Sequence, residues 1–200
     1  MKNQLSLILV LFCSTIMFAQ KAKVTQGDWG NLKDISAYNV EFDYSNLEIP
    51  KYDSEEEFLK DKMAKREDKE AGTGEAFKKS WFSDREEFYE PRFIETFNAK
   101  YKDEKVKVGK DINADYTIKI HTTFMYPGYN VGIVRHNSKI ELTLSVYKTD
   151  NLDDAIFSVD YTKIEGQGNG GYDFNSGQRI ADAYIIFGRA FAKHLYKNTK

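Results

Sequence analysis

Three consecutive stretches in the second half of the chain alternate apolar and polar residues. They run from 114 to 126, from 138 to 147 and from 155 to 164; in the second, Ile140, Leu142, Leu144 and Val146 occupy every other position. This is the period of a β-strand, and strands that are apolar on one face only favour antiparallel hairpins with the other face in water. The turn signal "NLDD" from Asn151 separates the last two stretches.

The first half supplies another strand and two helical segments. The strand starts at Ala37, alternates through Val40, Phe42 and Tyr44, and ends by Pro50. Ser54 and Glu57 have the spacing of a capping box, which predicts a helix that stops at Gly72. Its charges are mixed and its apolar residues few, so we interpret it as a solvated helix without a binding role.

Aromatic residues at helical spacing predict the second helical segment, from Phe77 to Phe97. Pro91 interrupts it, and the sequence leaves open whether the helix bends there or a new helix begins. The final segment has an apolar stripe at intervals of three or four residues: Ile180, Tyr184, Phe187, Phe191 and Leu195. Gly188 beside this stripe indicates a close approach to the sheet.

The order β-α-α-β-β-β-α predicts the α+β class. We expect a two-layer sandwich in which a four-stranded, mainly antiparallel sheet has its helices packed on one face. The length of the chain fits a single domain over residues 20–200.

Residues 1–19 are typical of a signal peptide, with Lys2, an apolar run from Leu5 to Phe18 and a cleavage point after Ala19. We therefore expect an exported protein, periplasmic or at the cell surface. The run is shorter than the ~20 residues that span a bilayer, so we expect no membrane insertion of the mature chain. Cys13 is the only cysteine, which leaves the mature chain without a thiol, a disulfide or a cysteine metal site.

Composition and motifs favour no cofactor, metal or catalytic residue. The net charge of −2 gives no footprint for nucleic acid. The histidines, His121, His136 and His194, lack zinc spacing. A glycine-rich segment holds Gly166, Gly168, Gly170 and Gly171, but the helix begins too late for a dinucleotide fingerprint; we interpret it as a connection to a helix capped near Asn175 or Ser176.

The connection from Phe124 to Ser138 is the strongest candidate for a functional surface. It is longer than the two to five residues usual for a hairpin and contains the turn dipeptide Pro127-Gly128. Its candidate partner-binding residues are Tyr126, Tyr129, Asn130, Arg135 and His136. The alternative is that Val131 and Ile133 merely extend the two strands.

Two functions are compatible with these patterns. The first is a non-enzymatic binding module whose long hairpin and wet sheet face contact a protein or glycan of the cell envelope. The alternative is a secreted hydrolase with a pair of carboxylates. A pocket with converging acids of raised pKa would favour the hydrolase, and an aromatic-rimmed surface without them favours binding.

Four stretches resemble an uncharacterised family of exported proteins of Bacteroidota: "NVEFDYS" at Asn39, Trp81 and Arg85 of the aromatic helix, "TTFMYPGYNVGIVR" at Thr122 and "RIADAYIIFG" at Arg179. The resemblance spans most of the mature chain and implies export. It implies no activity, and related sequences have an acidic residue at the position of Tyr126.

Overall fold

A computed structural model describes residues 21–101, 105–166 and 175–200. Within them, six strands form one mixed sheet. The strands are β1 (Lys21–Gln26), β2 (Ala37–Asp43), β3 (Lys107–Gly109), β4 (Tyr116–Tyr126), β7 (Ser138–Lys148) and β8 (Asn151–Gly166). Their order across the sheet is β1-β8-β7-β4-β2-β3. The pairs β2–β3 and β2–β4 are parallel, and the other pairs are antiparallel.

A separate two-stranded ribbon, β5 (Tyr129–Asn130) and β6 (Arg135–His136), lies in the connection between β4 and β7. The helices are α1 (Glu55–Glu67), α2 (Thr73–Asp84), α3 (Glu90–Asn98) and α4 (Ser176–Asn198). A short 3-10 helix, Trp29–Leu32, follows β1.

The predicted order β-α-α-β-β-β-α and the predicted four-stranded, mainly antiparallel sheet are both wrong. The four predicted strands are present as β2, β4, β7 and β8, but β1 and β3 add an edge on each side and β2 runs parallel to both of its neighbours. Every residue of β1 is exposed, and β3 is three residues long. Both strands are held by backbone pairing and bury too few side chains to leave an alternating pattern, which explains why periodicity missed them.

The apolar side chains of the sheet and of the helices share one core. Phe42 meets Phe93 of α3 edge-on, with ring centroids 5.9 Å apart, and Tyr161 meets Phe187 of α4 at 5.2 Å. The opposite sheet face is polar: Thr143 donates to Asp160 at 2.8 Å. The predicted division into an apolar and a polar face is therefore present.

Pro91 is accommodated inside a continuous helical run. The five-residue π-helical turn Arg85–Tyr89 joins α2 to α3, and the N–H of Glu90 donates to the carbonyl of Arg85. Proline lacks an N–H and its ring collides with the carbonyl four residues earlier, so a wider turn directly before it relieves the conflict. The helix thus neither ends nor restarts at Pro91.

The apolar stripe of α4 is confirmed as core, since all five of its residues are at most 1% exposed. Gly188 allows a close approach, but to α3 and not to the sheet. A Cβ atom there would lie 2.9 Å from the carbonyl oxygen of Phe93. The sequence therefore predicted a close approach at Gly188 correctly, but the element that approaches is α3, and the expected contact with the sheet is wrong.

The predicted signal peptide, residues 1–19, lies outside the described residues. Within the described ranges, no helix has both the length and the apolar character that a bilayer crossing requires.

Candidate functional site

The connection between β4 and β7 folds back as a hairpin at one end of the sheet. Tyr129 pairs with His136 and Asn130 with Arg135 across the β5–β6 ribbon. The Tyr129 and His136 rings stack with centroids 4.6 Å apart. The connection is therefore a distinct ribbon and not a simple extension of β4 and β7.

The first turn of α4 clamps the base of this hairpin. Arg179, only 4% exposed, donates through Nε to the carbonyl of Pro127 at 3.1 Å and through Nη2 to that of Gly128 at 3.4 Å. On the returning side, the hydroxyl of Ser138 donates to the carbonyl of Arg179 at 2.5 Å. Gly128 has a φ of 66°, and a Cβ there would lie 2.9 Å from the N atom of Ser138, so glycine is required.

A groove of about 680 Å³ opens beside the hairpin. It lies between the hairpin, helix α1, the turn from Ile49 to Tyr52 and the start of α4. Three of the five predicted binding residues, Tyr126, Tyr129 and Asn130, line it; Arg135 and His136, on β6, do not. The structure thus brings part of the predicted set to a concave site.

Cations from α1, from its flanking turns and from the first turn of α4 line the groove. Those lining it are Lys51, Lys62, Lys65, Arg66, Lys69 and Arg179. Arg66 lies over the ring of Phe77, with Cζ 3.8 Å from the centroid, and its Nη1 donates to the carbonyl of Lys62 at 3.2 Å. This stacking fixes the guanidinium at the wall of the groove.

Asp61, which does not line the groove, forms ion pairs with two of the lining lysines, Lys62 and Lys65. Its carboxylate accepts from the hydroxyl of Tyr52 at 2.6 Å and lies 2.8 Å from Nζ of Lys65 and 3.4 Å from Nζ of Lys62. The hydrogen bonds from Lys65 and Tyr52 lower the pKa of Asp61 to about 2, and the bond to Asp61 raises the pKa of Lys65. Both groups are charged at neutral pH.

Lys51 occupies a backbone conformation that favours glycine. It follows Pro50 in a turn closed by the Tyr52 N–H donating to the Ile49 carbonyl at 3.2 Å, and its φ is 76°. A proline followed by a residue with positive φ is typical of a type II turn, where the second position is usually glycine or asparagine. A lysine there costs about 1–2 kcal/mol of backbone energy. In the described part of the chain, neither Lys51 nor Lys69 forms an ion pair.

The sequence interpretation of α1 as a helix without a binding role overlooked these cations. Lys65 and Arg66 follow Lys62 by three and four residues, which places all three on one face of α1, and Lys69 lies in the turn after the helix. The same face carries Phe58. A cationic stripe beside aromatic residues was the signal that could have found this wall.

Two buried carboxylic acids lie away from the groove lining. Asp84 is 7% exposed, and burial, followed by the charge of Glu87, raises its pKa to about 6. Glu90 is 5% exposed; burial raises its pKa although Lys110 lies 2.5 Å away. Of the described residues that line the groove, none is acidic.

The remaining sequence candidates have structural partners where they are described. Asn175 caps α4 as predicted, because its side chain accepts from the N–H of Gly177 at 2.8 Å. His194 bonds the hydroxyl of Tyr161 at 2.9 Å, and His121 the carbonyl of Ser45 at 2.9 Å. Within the ranges the structure covers, no three histidine, cysteine or acidic residues are placed to hold a metal. Gly168, Gly170 and Gly171 lie outside the described residues.

Comparison with known proteins identifies no family. No family model matches the sequence, and no curated protein matches it significantly. Among solved structures, the chain is similar to the PelC dodecamer from Paraburkholderia phytofirmans. A point variant of PelC in space group C2 gives a TM-score of 0.38 at 11% identity, and PelC in space group P6 gives 0.37 at 9% identity. Both matches cover 86% of this chain and 97% of PelC. Similarity at this level establishes neither a family nor a function.

Proposed function

We propose that this chain is a non-enzymatic binding protein of the cell envelope whose groove takes an acidic glycan. The observation that carries the proposal is the charge of the groove. Six of its lining side chains are cationic and, among the described lining residues, none is acidic, although the whole chain has a net charge of −2. Positive charge is thus concentrated where a ligand fits.

The aromatic side chains of the groove favour a sugar over a simple anion. They are Tyr52, Phe58, Phe77, Tyr126 and Tyr129. The C–H faces of a sugar ring pack on aromatic rings, and carboxylate substituents pair with lysine and arginine. A chain of uronic acids offers both features in each residue, so its chemistry suits the lining of the groove.

The described lining of the groove favours binding over the hydrolase alternative. A carboxylate-based glycosidase needs two acids flanking the bond that is cleaved. Asp84 and Glu90 have the raised pKa that a general acid requires, but neither lines the groove. Aromatic and cationic groups without an acid are typical of a site that binds and does not cleave.

The export that the sequence predicts supports the same setting. The apolar run from Leu5 to Phe18 and Ala19 match a secretory signal, which would deliver the domain to the compartment that contains envelope polysaccharides.

Lys51→Gly provides a sharp test because its effects on stability and on binding have opposite signs. Glycine relieves the positive φ, so the free energy of unfolding should rise by about 0.5–1 kcal/mol. Loss of the cation should weaken binding of alginate oligosaccharides about fivefold, roughly 1 kcal/mol. Calorimetric titration and urea unfolding measure the two effects on the same protein.

The double variant Lys51→Gly, Lys69→Ala should lose about twenty-fivefold in affinity if the two contributions add. Lys193→Ala, an exposed lysine of α4 outside the groove, is the matched control and should change nothing. Wild-type affinity should fall with added salt. Equal binding of neutral dextran oligosaccharides, tighter binding of polyglutamate, or unchanged affinity in the double variant would contradict the proposal.

A further inference from the structure

We propose that the tip of the hairpin, residues 131–134, inserts into the surface of an anionic phospholipid bilayer. The proposal does not require the glycan site, because the apolar side chains Ile133 and Val134 lie outside the groove lining.

The tip exposes aliphatic side chains that folding does not explain. Val131 is 66% exposed, Ile133 99% and Val134 46%. Ile133 has practically no contact with the rest of the molecule, and a single exposed aliphatic residue is common, but three within four residues form a patch. A polar turn would close the ribbon equally well, so the patch is suited to an apolar environment outside the protein.

The backbone of the tip satisfies some of its own hydrogen bonds. The N–H of Val131 donates to the carbonyl of Val134 at 3.1 Å, and the N–H of Gly132 donates to the side chain of Asn130 at 2.9 Å. An unpaired backbone group is costly in lipid. These internal bonds therefore reduce the cost of moving the tip out of water.

The charges around the tip complement an anionic surface. Between Phe124 and Ser138 the sequence contains no acidic residue, and Arg135 follows the tip directly. Tyr129 and Val131 belong both to the hairpin and to the wall of the groove, so the cations of the groove lie next to the base of the ribbon. The nearby acid Glu165 is paired with Lys139 at 2.9 Å. Basic groups beside an inserted apolar element attract anionic headgroups.

The shape of the hairpin favours a bilayer over a protein partner. A stable protein interface buries about 800 Å² on each side, and three aliphatic side chains on a narrow convex turn offer far less. A ribbon of this length reaches a depth of about 5–10 Å, which is the depth at which interfacial apolar groups sit in a membrane. Tyr129 then lies at the headgroup level, where aromatic residues are enriched.

The test uses the mature chain from Gln20, which carries every described element, so that the apolar leader cannot bind lipid itself. Wild-type protein is sedimented with vesicles of phosphatidylcholine that contain about 30% phosphatidylglycerol. This composition is chosen to resemble the anionic content of natural membrane surfaces. The variant Ile133→Ser, Val134→Ser should bind them at least about tenfold more weakly. Leu152→Ser is the matched control and should bind like wild type, because Leu152 is a 37% exposed aliphatic residue at the start of β8, near the other end of β7.

A second measurement locates the tip directly. In the variant Ile133→Trp, addition of vesicles should shift part of the tryptophan fluorescence to shorter wavelength. Brominated acyl chains in the vesicles should quench this shifted fluorescence. The alginate affinity of Ile133→Ser, Val134→Ser should equal that of wild type, because neither residue lines the groove, and this separates failure of this proposal from failure of the glycan site. Vesicle binding that the tip substitutions leave unchanged, no vesicle binding at all, or a wild-type dimer that these substitutions dissociate would overturn the bilayer proposal.

Discussion

Two connections of different construction join strand β7 to its neighbours, one at each end of the strand. Toward β8 the chain turns within the two residues between Lys148 and Asn151, and three aspartates, Asp150, Asp153 and Asp154, surround the turn. Toward β4 the connection spans residues 127–137, contains no acid and exposes Val131 and Ile133. Both connections join antiparallel strands of the same sheet.

The difference shows what folding requires of a hairpin and what it does not. The acidic turn closes β7 onto β8 with the fewest residues and a polar surface, which keeps that end of the sheet soluble. The long hairpin closes β4 onto β7 no better, yet it is held by a buried arginine and lies beside a cationic groove. Its length, apolar tip and basic surroundings therefore fit a contact made with another molecule.

The largest expected effect comes from cutting the clamp at the long hairpin. Arg179→Met should lower the free energy of unfolding by about 3–4 kcal/mol, because hydrogen bonds to a charged group contribute about 1.5–3 kcal/mol and the carbonyls of Pro127 and Gly128 lose their donor. Urea unfolding measures the loss. Hydrogen exchange should accelerate at residues 129–136 and stay unchanged at residues 149–154.

Arg189→Met serves as the control, since Arg189 is an exposed residue of the same helix and should stay within about 0.5 kcal/mol of wild type. Equal acceleration of exchange at both ends of β7 would mean that Arg179 supports the whole fold and does not clamp the hairpin.

The free energy of unfolding should depend on pH through Asp84, whose carboxylate lies against Gly177 at the start of α4, next to the long hairpin. Burial, followed by the charge of Glu87, raises its pKa from 3.8 to about 6. The folded state then holds the proton more tightly than the unfolded state, so this stabilisation is fully present below about pH 4 and is lost as pH rises through about 6. The loss should reach roughly 2–3 kcal/mol.

Asp84→Asn should remove this component, so the difference in unfolding free energy between wild type and variant should change between pH 4 and 7. Glu90, whose pKa is raised as well, contributes with the same sign in both proteins and cancels in the difference. A pH-independent difference would show that Asp84 is solvated.

The smallest expected effect is that of Tyr129→Ala. Tyr129 is 39% exposed and its main contact is the stack on His136, so its removal should cost at most about 1 kcal/mol. Leu152→Ala, at the start of β8 beside the acidic turn, should cost about 0.5 kcal/mol or less. Thermal melts of the two variants compare the hairpins directly; a loss above 3 kcal/mol for Tyr129→Ala would make it a core residue and not a contact residue.

Periodicity found the parts of the fold that bury a face. The stripe from Ile180 to Leu195 and the alternation in β7 follow from burial against one core, and burial determines both patterns. The direction of β2 could not be predicted, because an alternating strand looks the same in a parallel and an antiparallel pair. The edge strand Lys21–Gln26 was missed because it is exposed along its whole length.

The sequence predicted only some of the residues that line the candidate site. Tyr126, Tyr129 and Asn130 were found because an overlong hairpin with aromatic residues is a local feature. Lys51 and the cations of α1 were not found, because they meet the hairpin only after the chain has folded, about 60–80 residues away along the sequence. The positive φ of Lys51 has no signature in residue order beyond the preceding proline.

The contacts of Arg179 also bear on how this protein could diversify. Pro127 and Gly128 on the outgoing side and Ser138 on the returning side all bond to the first turn of α4, and Gly128 lies against the chain at Ser138. The eight residues from Tyr129 to His136 therefore begin and end on a fixed platform. Such a segment can be exchanged, lengthened or randomised as a unit while the sheet and the core keep their contacts, much as antibody loops vary on a constant framework.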